Sequence, residues 1–297
     1  MRVPWRGHRG AQLDRVDLRD PEYIARFAKT VVGPLKRLFK PEVRGLEHYP
    51  TGPALVVGNH NGGTLTPDTF IFGAALVDRW GVEALPYGLA HELPMNLPVV
   101  GPGLSRLGAV RASHENAGRL FSRGSKVMVY PGGDVDALRP YRDRNRIRFD
   151  GRKGYLRLAL RHGVPIVPLV AAGAHAGFVV LSDGRRLARA LRLDRLFRLK
   201  AMPISFSLPW GITVGLLPPY YPLKTKILIE VLAPIHFERS GDGAASDESY
   251  VRACDERIRT AMQTKLCELA LEVETGEPWE RSSAKAAPRC DEREAAE

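Results

Sequence analysis

A histidine and an aspartate on either side of a glycine-rich turn are the residues of this chain best suited to acid–base chemistry. His60 follows the apolar run 54–57, and seven residues separate it from Asp68. A folded turn would bring the carboxylate to the imidazole, where it fixes the ring tautomer and steadies the protonated form. The other ring nitrogen can then take a proton from a hydroxyl. Because a loop histidine is often only a surface or structural residue, the pair needs support from elsewhere in the chain.

Two pairs of glycines beside candidate strands can supply backbone N–H groups to a reaction. Gly62 and Gly63 lie in the histidine turn, and Gly132 and Gly133 follow the apolar run 126–131. N–H groups in such turns can bind the oxyanion of a tetrahedral intermediate. Acyl transfer from a thioester to a hydroxyl needs a base, such donors and a dry channel. It requires no metal and no nucleophilic serine or cysteine.

Charged side chains near the candidate strands are predicted to bind substrate. The formal charge of the chain is +11, which suits phosphorylated small molecules, anionic lipid or nucleic acid. The phosphate-binding candidates are Arg111, Arg139, Arg152 and Lys153. An exposed basic loop without a ligand would have the same composition. Nucleic acid is the weakest of these partners, because no recognised binding motif is present and aromatic residues are not interleaved with the basic run.

The apolar pattern predicts the elements that position these residues. Thr66 suits the N-cap of a helix and Pro67 its first position. The expected fold class is α/β, with a single three-layer αβα domain over residues 41–275 around a mostly parallel sheet. Strands are predicted over 54–57, 84–89, 107–110, 127–131, 164–170 and 226–232, and helices over 67–80, 113–124, 152–162 and within 183–200.

Both ends of the chain are predicted to lie outside this layered domain. Residues 1–40 contain an arginine-rich arm and a basic amphipathic helix that begins at Pro21 and is interrupted at Gly33-Pro34. Such a helix either lies in a membrane interface or packs on the core with a solvated basic face. A linker over 240–248 precedes a long C-terminal helix, and the tail 276–297 is expected to be disordered.

The stretch 201–221 contains no charged residue, yet four prolines forbid a continuous helix. It is suited to dip into lipid, to line an acyl-chain tunnel or to form core loops. No apolar run of about 18 residues is uninterrupted, so a conventional transmembrane helix is not expected. The cysteines form no CxxC pair and the first ten residues lack the apolar core of a signal peptide, so a cytoplasmic location is expected.

Four sequence blocks, in this order, resemble those of the glycerolipid acyltransferase superfamily, which contains the lysophosphatidic acid acyltransferases. Asn59-His60 through Asp68 resembles the catalytic His…Asp block, and Gly108–Arg111 resembles the block whose arginine contacts the acceptor's phosphate. Tyr130-Pro-Gly-Gly133 is similar to the third block, normally Phe-Pro-Glu-Gly. Val164–Pro168 is similar to the fourth, an apolar strand near the acyl donor. The resemblance implies that His60 is the base and Asp68 its orienting partner.

Two positions depart from the family pattern. Seven residues separate His60 from Asp68 where the family usually has four, as in a subgroup with the Asn-His-x-Gly-Gly variant. Gly132 stands where the family has a glutamate that helps to hold the glycerol acceptor. Asp134 or Asp136 is expected to replace that carboxylate. Pro-Gly-Gly also resembles the diacylglycerol acyltransferase and phytyl ester synthase branches, whose acceptors lack phosphate.

The resemblance therefore implies an acyl-CoA-dependent O-acyltransferase of the 1-acylglycerol-phosphate acyltransferase type. It would move a fatty acyl group to a hydroxyl of a glycerolipid or another lipid alcohol. The expected partners are acyl-CoA as co-substrate, a lipid acceptor and an anionic membrane, with peripheral or monotopic association at the cytoplasmic face. No bound cofactor, metal or nucleic acid is expected. Two alternatives stay open: a thioesterase or lipid hydrolase that uses the same pair, and a non-catalytic protein that binds anionic lipid.

Overall fold

Strands and helices alternate along much of the chain. The structure, a computed structural model, describes residues 14–63, 66–192, 202–215 and 221–279. Its strands are β1 (Glu42–Arg44), β2 (Leu55–Gly58), β3 (Tyr87–Ala90), β4 (Ala109–Arg111), β5 (Val127–Val129), β6 (Ile166–Ala172), β7 (Val179–Ser182), β8 (Ile204–Ser207), β9 (Gly211–Val214) and β10 (Leu228–Val231). Its α-helices are α1 (Pro21–Phe27), α2 (Gly33–Phe39), α3 (Pro67–Trp80), α4 (Glu92–Asn96), α5 (Val100–Arg106), α6 (His114–Ser122), α7 (Gly133–Ala137), α8 (Gly154–His162), α9 (Arg185–Ala190), α10 (Asp242–Ser246) and α11 (Glu248–Thr275).

A seven-stranded sheet forms the centre of the described chain, in the order β1-β10-β6-β2-β5-β3-β4. Neighbouring strands from β6 to β4 are parallel, and β10 runs antiparallel to β6. Every predicted strand is present in this sheet, with bounds shifted by a few residues. The largest shift is at β3, because Val82–Ala84 forms a 3₁₀ turn before the strand. The predicted α/β fold around a mostly parallel sheet is confirmed.

Hydrophobic cores cover both faces of the sheet. Leu55 and Val57 of β2 enter one core with residues of α6, α8 and α11, whereas Val56 enters the other with residues of α2 and α3. Side chains alternate between the two faces of a strand, so a strand covered on both faces must be apolar throughout. This explains why the short run 54–57 carries no polar side chain. It also gives the three layers that the sequence predicts.

The N-terminal amphipathic segment packs on one of these cores. A π-helical turn, Ala28–Val32, separates α1 from α2 directly before Gly33-Pro34. A wide turn of this kind accommodates a proline that lacks a backbone N–H. Ile24, Val32 and Phe39 are buried. The apolar side of this segment therefore faces the protein, and the interpretation as a helix packed on the core is the one that the structure supports.

Some local predictions differ from the structure. Thr66 occupies the N-cap position of α3, but with φ at +40° its side chain makes no capping hydrogen bond. The predicted linker 240–248 contains α10, whose Ala244 and Ala245 are buried where it packs on α8. Small side chains allow that close approach. Beyond α9, the predicted helical segment 183–200 lies largely outside the described residues, as does most of the predicted tail 276–297.

β7, β8 and β9 form a separate antiparallel sheet that the apolar pattern does not predict. β8 and β9 come from the uncharged stretch 201–221, whose residues 216–220 lie outside the description. None of the helices in the described part of the chain has both the length and the apolar character needed to cross a bilayer.

Candidate active site

The candidate site lies at the carboxyl ends of three neighbouring strands. His60 follows β2, Tyr130 follows β5, and the 3₁₀ turn Ala174–Gly177 follows β6. Parallel strands that are neighbours end at the same edge of a sheet, so the three segments meet there. The sequence predicts the contributions of β2 and β5. The third segment, with its buried His175, is missed because a lone histidine in an alanine- and glycine-rich turn has no recognisable pattern.

Two asparagines attach the His60 turn to β6. The side-chain amide of Asn59 donates to the C=O of Ala171 at 2.9 Å, and its carbonyl oxygen accepts the N–H of Ala171 at 2.8 Å. Asn61 donates to the same C=O. These amides satisfy backbone groups beyond the last strand pairing, where buried N–H and C=O groups would lack partners. The Asn-His-Asn alternation is the sequence signal that indicates this role.

A buried ion pair holds the backbone of His60. The carboxylate of Asp136 accepts the His60 N–H at 2.5 Å, and the guanidinium of Arg139 donates to the His60 C=O at 2.5 Å. The two side chains pair at 3.0 Å, and both are fully buried. Arg139 also donates to the C=O of Arg144, and Asp136 accepts the N–H of Arg148. The ion pair therefore links the backbone of His60 to the backbone at Arg144 and Arg148.

The predictions that Arg139 binds phosphate and that Asp136 binds the acceptor are wrong. Neither side chain has any exposed surface, and the hydrogen-bonding groups of both are used inside the protein. A buried charge is stable only with such partners, so neither group is available to a substrate. Both residues instead hold His60 in position.

His60 and Asp68 contribute to one buried site, but no hydrogen bond joins them. Within the described residues, neither His60 Nδ1 nor Asp68 Oδ1 has a hydrogen-bond partner, although both atoms are buried. The Tyr130 ring lies 4.6 Å from the His60 ring between centroids, and its hydroxyl lies 2.5 Å from the Thr69 hydroxyl, next to Asp68. Unpartnered buried polar atoms are costly. The site thus retains a ring nitrogen and a carboxyl oxygen that are free to bond.

Burial moves both groups toward their neutral forms. Burial raises the pKa of Asp68 to about 8, although N–H groups of Thr69 and Asp68 and the charge of Arg139 act in the opposite direction. Burial, reinforced by Arg139, lowers the pKa of His60 to about 4, and Asp134 acts against this shift. At neutral pH His60 is therefore an unprotonated base.

The glycines of the histidine turn adopt conformations that other residues rarely take. Gly62 and Gly63 have φ values of +77° and +65°, and a Cβ on Gly63 would lie 2.7 Å from the Phe178 ring. Their N–H groups donate to no described residue, so both remain candidate oxyanion donors. The N–H of Gly133, in contrast, already donates to the C=O of Tyr130 at 3.1 Å. The prediction for Gly133 is therefore wrong in this structure.

Gly132 has no room for a side chain. A Cβ there would lie 2.2 Å from the C=O oxygen of Arg148 and 2.3 Å from Cβ of Asp136. The residues that hold His60 thus occupy the space that the family's glutamate would need. This explains physically why the third block has glycine at this position. The Gly132 N–H donates to no described residue and remains an oxyanion candidate.

The remaining candidates for phosphate binding are mostly engaged within the protein. Arg111 binds the carboxylate of Asp14 through Nε, at 2.9 Å to one oxygen, and through Nη2. Arg111 ends β4, which lies three strand spacings, or roughly 14 Å, from β2, the strand that precedes His60. Arg152 pairs with Asp134 at 3.1 Å. Lys153 makes no ion pair with any described residue. Asp134, the other acceptor candidate, is therefore also engaged.

Comparisons with known proteins agree with the four sequence blocks. A family model described as Acyltransferase matches residues 40–172, which contain all four blocks. The chain is 31% identical over 249 residues to an uncharacterized protein of Mycobacterium tuberculosis. The alignment covers 82% of this chain and 66% of that protein. The chain thus spans about two thirds of that relative's length.

Two further comparisons concern proteins with named activities. The chain is 29% identical over 193 residues to the bovine "DGAT1/2-independent enzyme synthesizing storage lipids", covering 65% of this chain and 55% of the relative. The crystal structure of the 1-acyl-sn-glycerophosphate (LPA) acyltransferase PlsC from Thermotoga maritima aligns with a TM-score of 0.47 at 18% identity, covering 82% and 78% of the two chains. Residues 40–172 match the Acyltransferase family, in agreement with the superfamily that the four blocks predict.

Proposed function

We propose that this protein transfers a fatty acyl group from acyl-CoA to a hydroxyl of a lipid alcohol at the cytoplasmic face of a membrane. His60 acts as the general base and Asp68 as the group that orients and stabilises its ring. The acyltransferase family supports the reaction class, while the donor, the acceptor and the membrane are part of the proposal. No bound cofactor is needed, because acyl-CoA enters and leaves as a co-substrate.

The observation that carries the proposal is the pair of unsatisfied atoms, His60 Nδ1 and Asp68 Oδ1. A hydrogen bond between them would satisfy both and would leave Nε2 of the ring to face the acceptor hydroxyl. His60 is the partly exposed member of this group, whereas Asn59, Asn61 and Asp68 are buried. The ring therefore has access to a ligand, and the groups that hold it do not.

The chemistry follows from these groups. His60 removes the proton of the acceptor hydroxyl as its oxygen attacks the thioester carbon, and the C–S bond breaks when the tetrahedral intermediate collapses. The thiolate of CoA takes up the proton from His60. The N–H groups of Gly62, Gly63 and Gly132 are the candidates to stabilise the oxyanion.

Charge distribution supports CoA as the donor and an acceptor without phosphate. Of the four predicted phosphate ligands, Arg139 is buried and Arg111 and Arg152 are paired with carboxylates, which leaves Lys153. Exposed basic residues such as Arg142 are suited to the phosphates of CoA at a solvent-facing rim. The bovine relative is named for the synthesis of storage lipids, which agrees with a neutral acceptor. We therefore propose a neutral lipid alcohol, with lysophosphatidic acid as the poorer acceptor.

An acceptor screen tests the proposal. The purified protein is given palmitoyl-CoA with diacylglycerol, a long-chain alcohol or lysophosphatidic acid in detergent micelles, and both free thiol and lipid ester are measured. His60→Ala should lower ester formation by about 10²–10⁴-fold, as expected for loss of a general base. It should fold normally, because the N–H and C=O of residue 60, which bind Asp136 and Arg139, remain.

His114→Ala is the matched control, since His114 is exposed at the start of α6. It should retain wild-type turnover. Thiol release without an acceptor, dependent on His60, would identify a thioesterase instead. No turnover of palmitoyl-CoA with any of these acceptors, together with binding to anionic vesicles, would favour the non-catalytic alternative. Faster transfer to lysophosphatidic acid would overturn the choice of a neutral acceptor alone.

A further inference from the structure

The small sheet of β7, β8 and β9 has its apolar side chains on the outside. In the register of this sheet Phe206 is paired with Ile212, and Ser205 with Thr213. Phe206 and Ile212 are 37% and 70% exposed, whereas Ser205 is buried and its hydroxyl lies 3.3 Å from that of Thr213. A sheet in a water-soluble protein normally shows the opposite pattern, with apolar residues inside and polar residues outside. The outer face of this sheet therefore meets something other than water.

The exposed apolar surface extends beyond this one pair. Leu208 and Val214 continue the outward face along the two strands, and Trp210 and Tyr221 stand at its end. A contiguous apolar patch on a soluble protein marks an interaction site for protein or membrane. Trp and Tyr are the aromatic residues enriched where a membrane meets water.

Positive charge adjoins this surface along the chain. Only two residues separate the end of β7 from the start of α9, on which Arg186 and Arg189 are exposed together with Leu187. Neither arginine forms an ion pair with a described residue. Basic and apolar side chains together match the headgroups and acyl chains of an anionic bilayer. The net charge of +11 acts in the same direction. A second copy of this chain would carry the same positive charge and would be repelled.

The inner face of the same sheet lies against the candidate active site. Val180, on β7, is paired with Ser205 and packs in one buried cluster with Phe178, Ala137 and Leu138. Ala137 and Leu138 directly precede Arg139, which holds His60. Phe178 also contacts Gly63 closely enough to exclude a Cβ there. The sheet thus exposes apolar side chains on its outer face, and its inner face packs near the catalytic turn.

We propose that the outer face of β7–β9 is the surface by which this protein sits on an anionic bilayer. The inference rests on the proposed function, for which it names the membrane-binding element. Apolar side chains enter the acyl-chain boundary and α9 lies among the headgroups. The histidine turn is then brought next to the lipid from which a lipid alcohol would enter. The N-terminal segment does not provide this surface, because its apolar side is packed on the core.

Vesicle flotation of the full chain tests this inference. The double variant Phe206→Ser with Ile212→Ser is compared with wild type on vesicles of phosphatidylcholine mixed with phosphatidylglycerol and on vesicles of phosphatidylcholine alone. We expect wild type to float with the anionic vesicles more than with phosphatidylcholine alone, and the double variant to bind the anionic vesicles at least about tenfold more weakly. Trp80→Ser is the control, because Trp80 is also an exposed aromatic residue but lies at the end of α3. It should bind like wild type.

Activity separates this inference from the proposed function. With a short-chain donor and acceptor that are soluble in water, the double variant should turn over like wild type, while its activity on vesicles should fall with its binding. Wild type that floats but shows no transfer would refute the proposed function and leave the membrane surface in place. Equal flotation of the double variant and wild type would overturn the inference. A dimer that the two substitutions disrupt, without vesicle binding, would overturn it in favour of a second copy.

Discussion

His60 is positioned mainly through its backbone. Its N–H and C=O are bound by Asp136 and Arg139, and its ring nitrogen Nδ1 has no hydrogen-bond partner among the described residues. An ion pair with no exposed surface is suited to this task because its geometry is strongly constrained. It also makes the site sensitive to loss of either charge.

Asp136→Asn should therefore destabilise the protein and displace His60. The substitution leaves the Arg139 guanidinium buried without its counter-ion, which typically costs about 3–5 kcal/mol in the free energy of unfolding. Urea denaturation measures this loss, and acyl transfer should fall with it. Asp78→Asn removes an exposed ion pair with Lys36 and should change the free energy of unfolding by less than about 1 kcal/mol. Similar losses in the two variants would contradict the role assigned to Asp136.

Asp68→Asn should raise the thermal stability of the protein at and above neutral pH. In the unfolded chain Asp68 ionises near its ordinary pKa, about 3.9, whereas burial raises its pKa in the folded protein to about 8. Between these pH values ionisation favours the unfolded chain, so the wild type loses stability as the pH rises and the variant does not. The variant's advantage in Tm should grow from pH 4 to pH 8 and vanish at the acid end.

Asp247→Asn is the comparison variant, for which we expect a change in Tm of the opposite sign. N–H and O–H groups of Ser249 and the N–H of Tyr250 lower the pKa of Asp247 below its ordinary value, so its contribution to stability is present above that value and is lost in acid. Its removal should therefore lower Tm at neutral pH. A Tm of Asp68→Asn that stays parallel to wild type across the range would refute burial of the Asp68 carboxyl. Since the general-base mechanism needs an ionised Asp68, the wild-type kcat/KM of the free enzyme should rise toward pH 8.

At the scale of elements, the turn from β5 into α7 has glycine at the position where the family's third block usually has a glutamate. Gly132 leaves space for Asp136 and for the returning chain at Arg148. α7 then carries Asp136 within hydrogen-bonding distance of the histidine turn. Glycine at position 132 and the buried ion pair of Asp136 with Arg139 are therefore parts of one local arrangement.

Gly132→Ala should disrupt that arrangement. The added methyl group would stand 2.2 Å from a backbone oxygen, so the chain at 132 or at 148 must move, and Asp136 with it. We expect a clear fall in Tm and loss of acyl transfer. Gly154→Ala, at the first position of α8, meets no atom within 4 Å and should be neutral or stabilising by about 0.4–1 kcal/mol. A Gly132→Ala protein with wild-type Tm and turnover would show that the turn has more space than the structure gives it.

At the scale of the whole molecule, the exposed apolar sheet packs its inner face on residues next to the catalytic turn. The parallel sheet with its two cores supplies a rigid edge at which β2, β5 and β6 end. The β7–β9 sheet covers part of that edge and turns its apolar side outward. The vesicle experiment therefore tests how the molecule as a whole is oriented, while the variants of His60 and Asp136 test the chemistry without a membrane.

The sequence by itself determined the parallel sheet, the order of the blocks and the bounds of α3, because these depend on local patterns. A strand buried on both faces is apolar throughout, as at 54–57, and Pro67 suits the start of a helix. β8 and β9 escaped prediction because their alternation is inverted, with Ser205 and Thr213 on the inner face and Phe206 and Ile212 on the outer face. Which face of such a sheet points outward can be assigned only when the surroundings of the sheet are known.

Only the tertiary structure decided which charged residues face a ligand and which are internal. Asp134 and Asp136 are two positions apart and equally plausible as acceptor ligands, yet only Asp136 reaches the backbone of His60. Likewise, nothing in the basic run distinguishes Arg139, which is fully buried, from Arg142, which is exposed. Burial of a charge depends on partners that are distant in sequence, here residue 60. Such contacts, unlike the periodicity of a strand or helix, leave no local pattern to read.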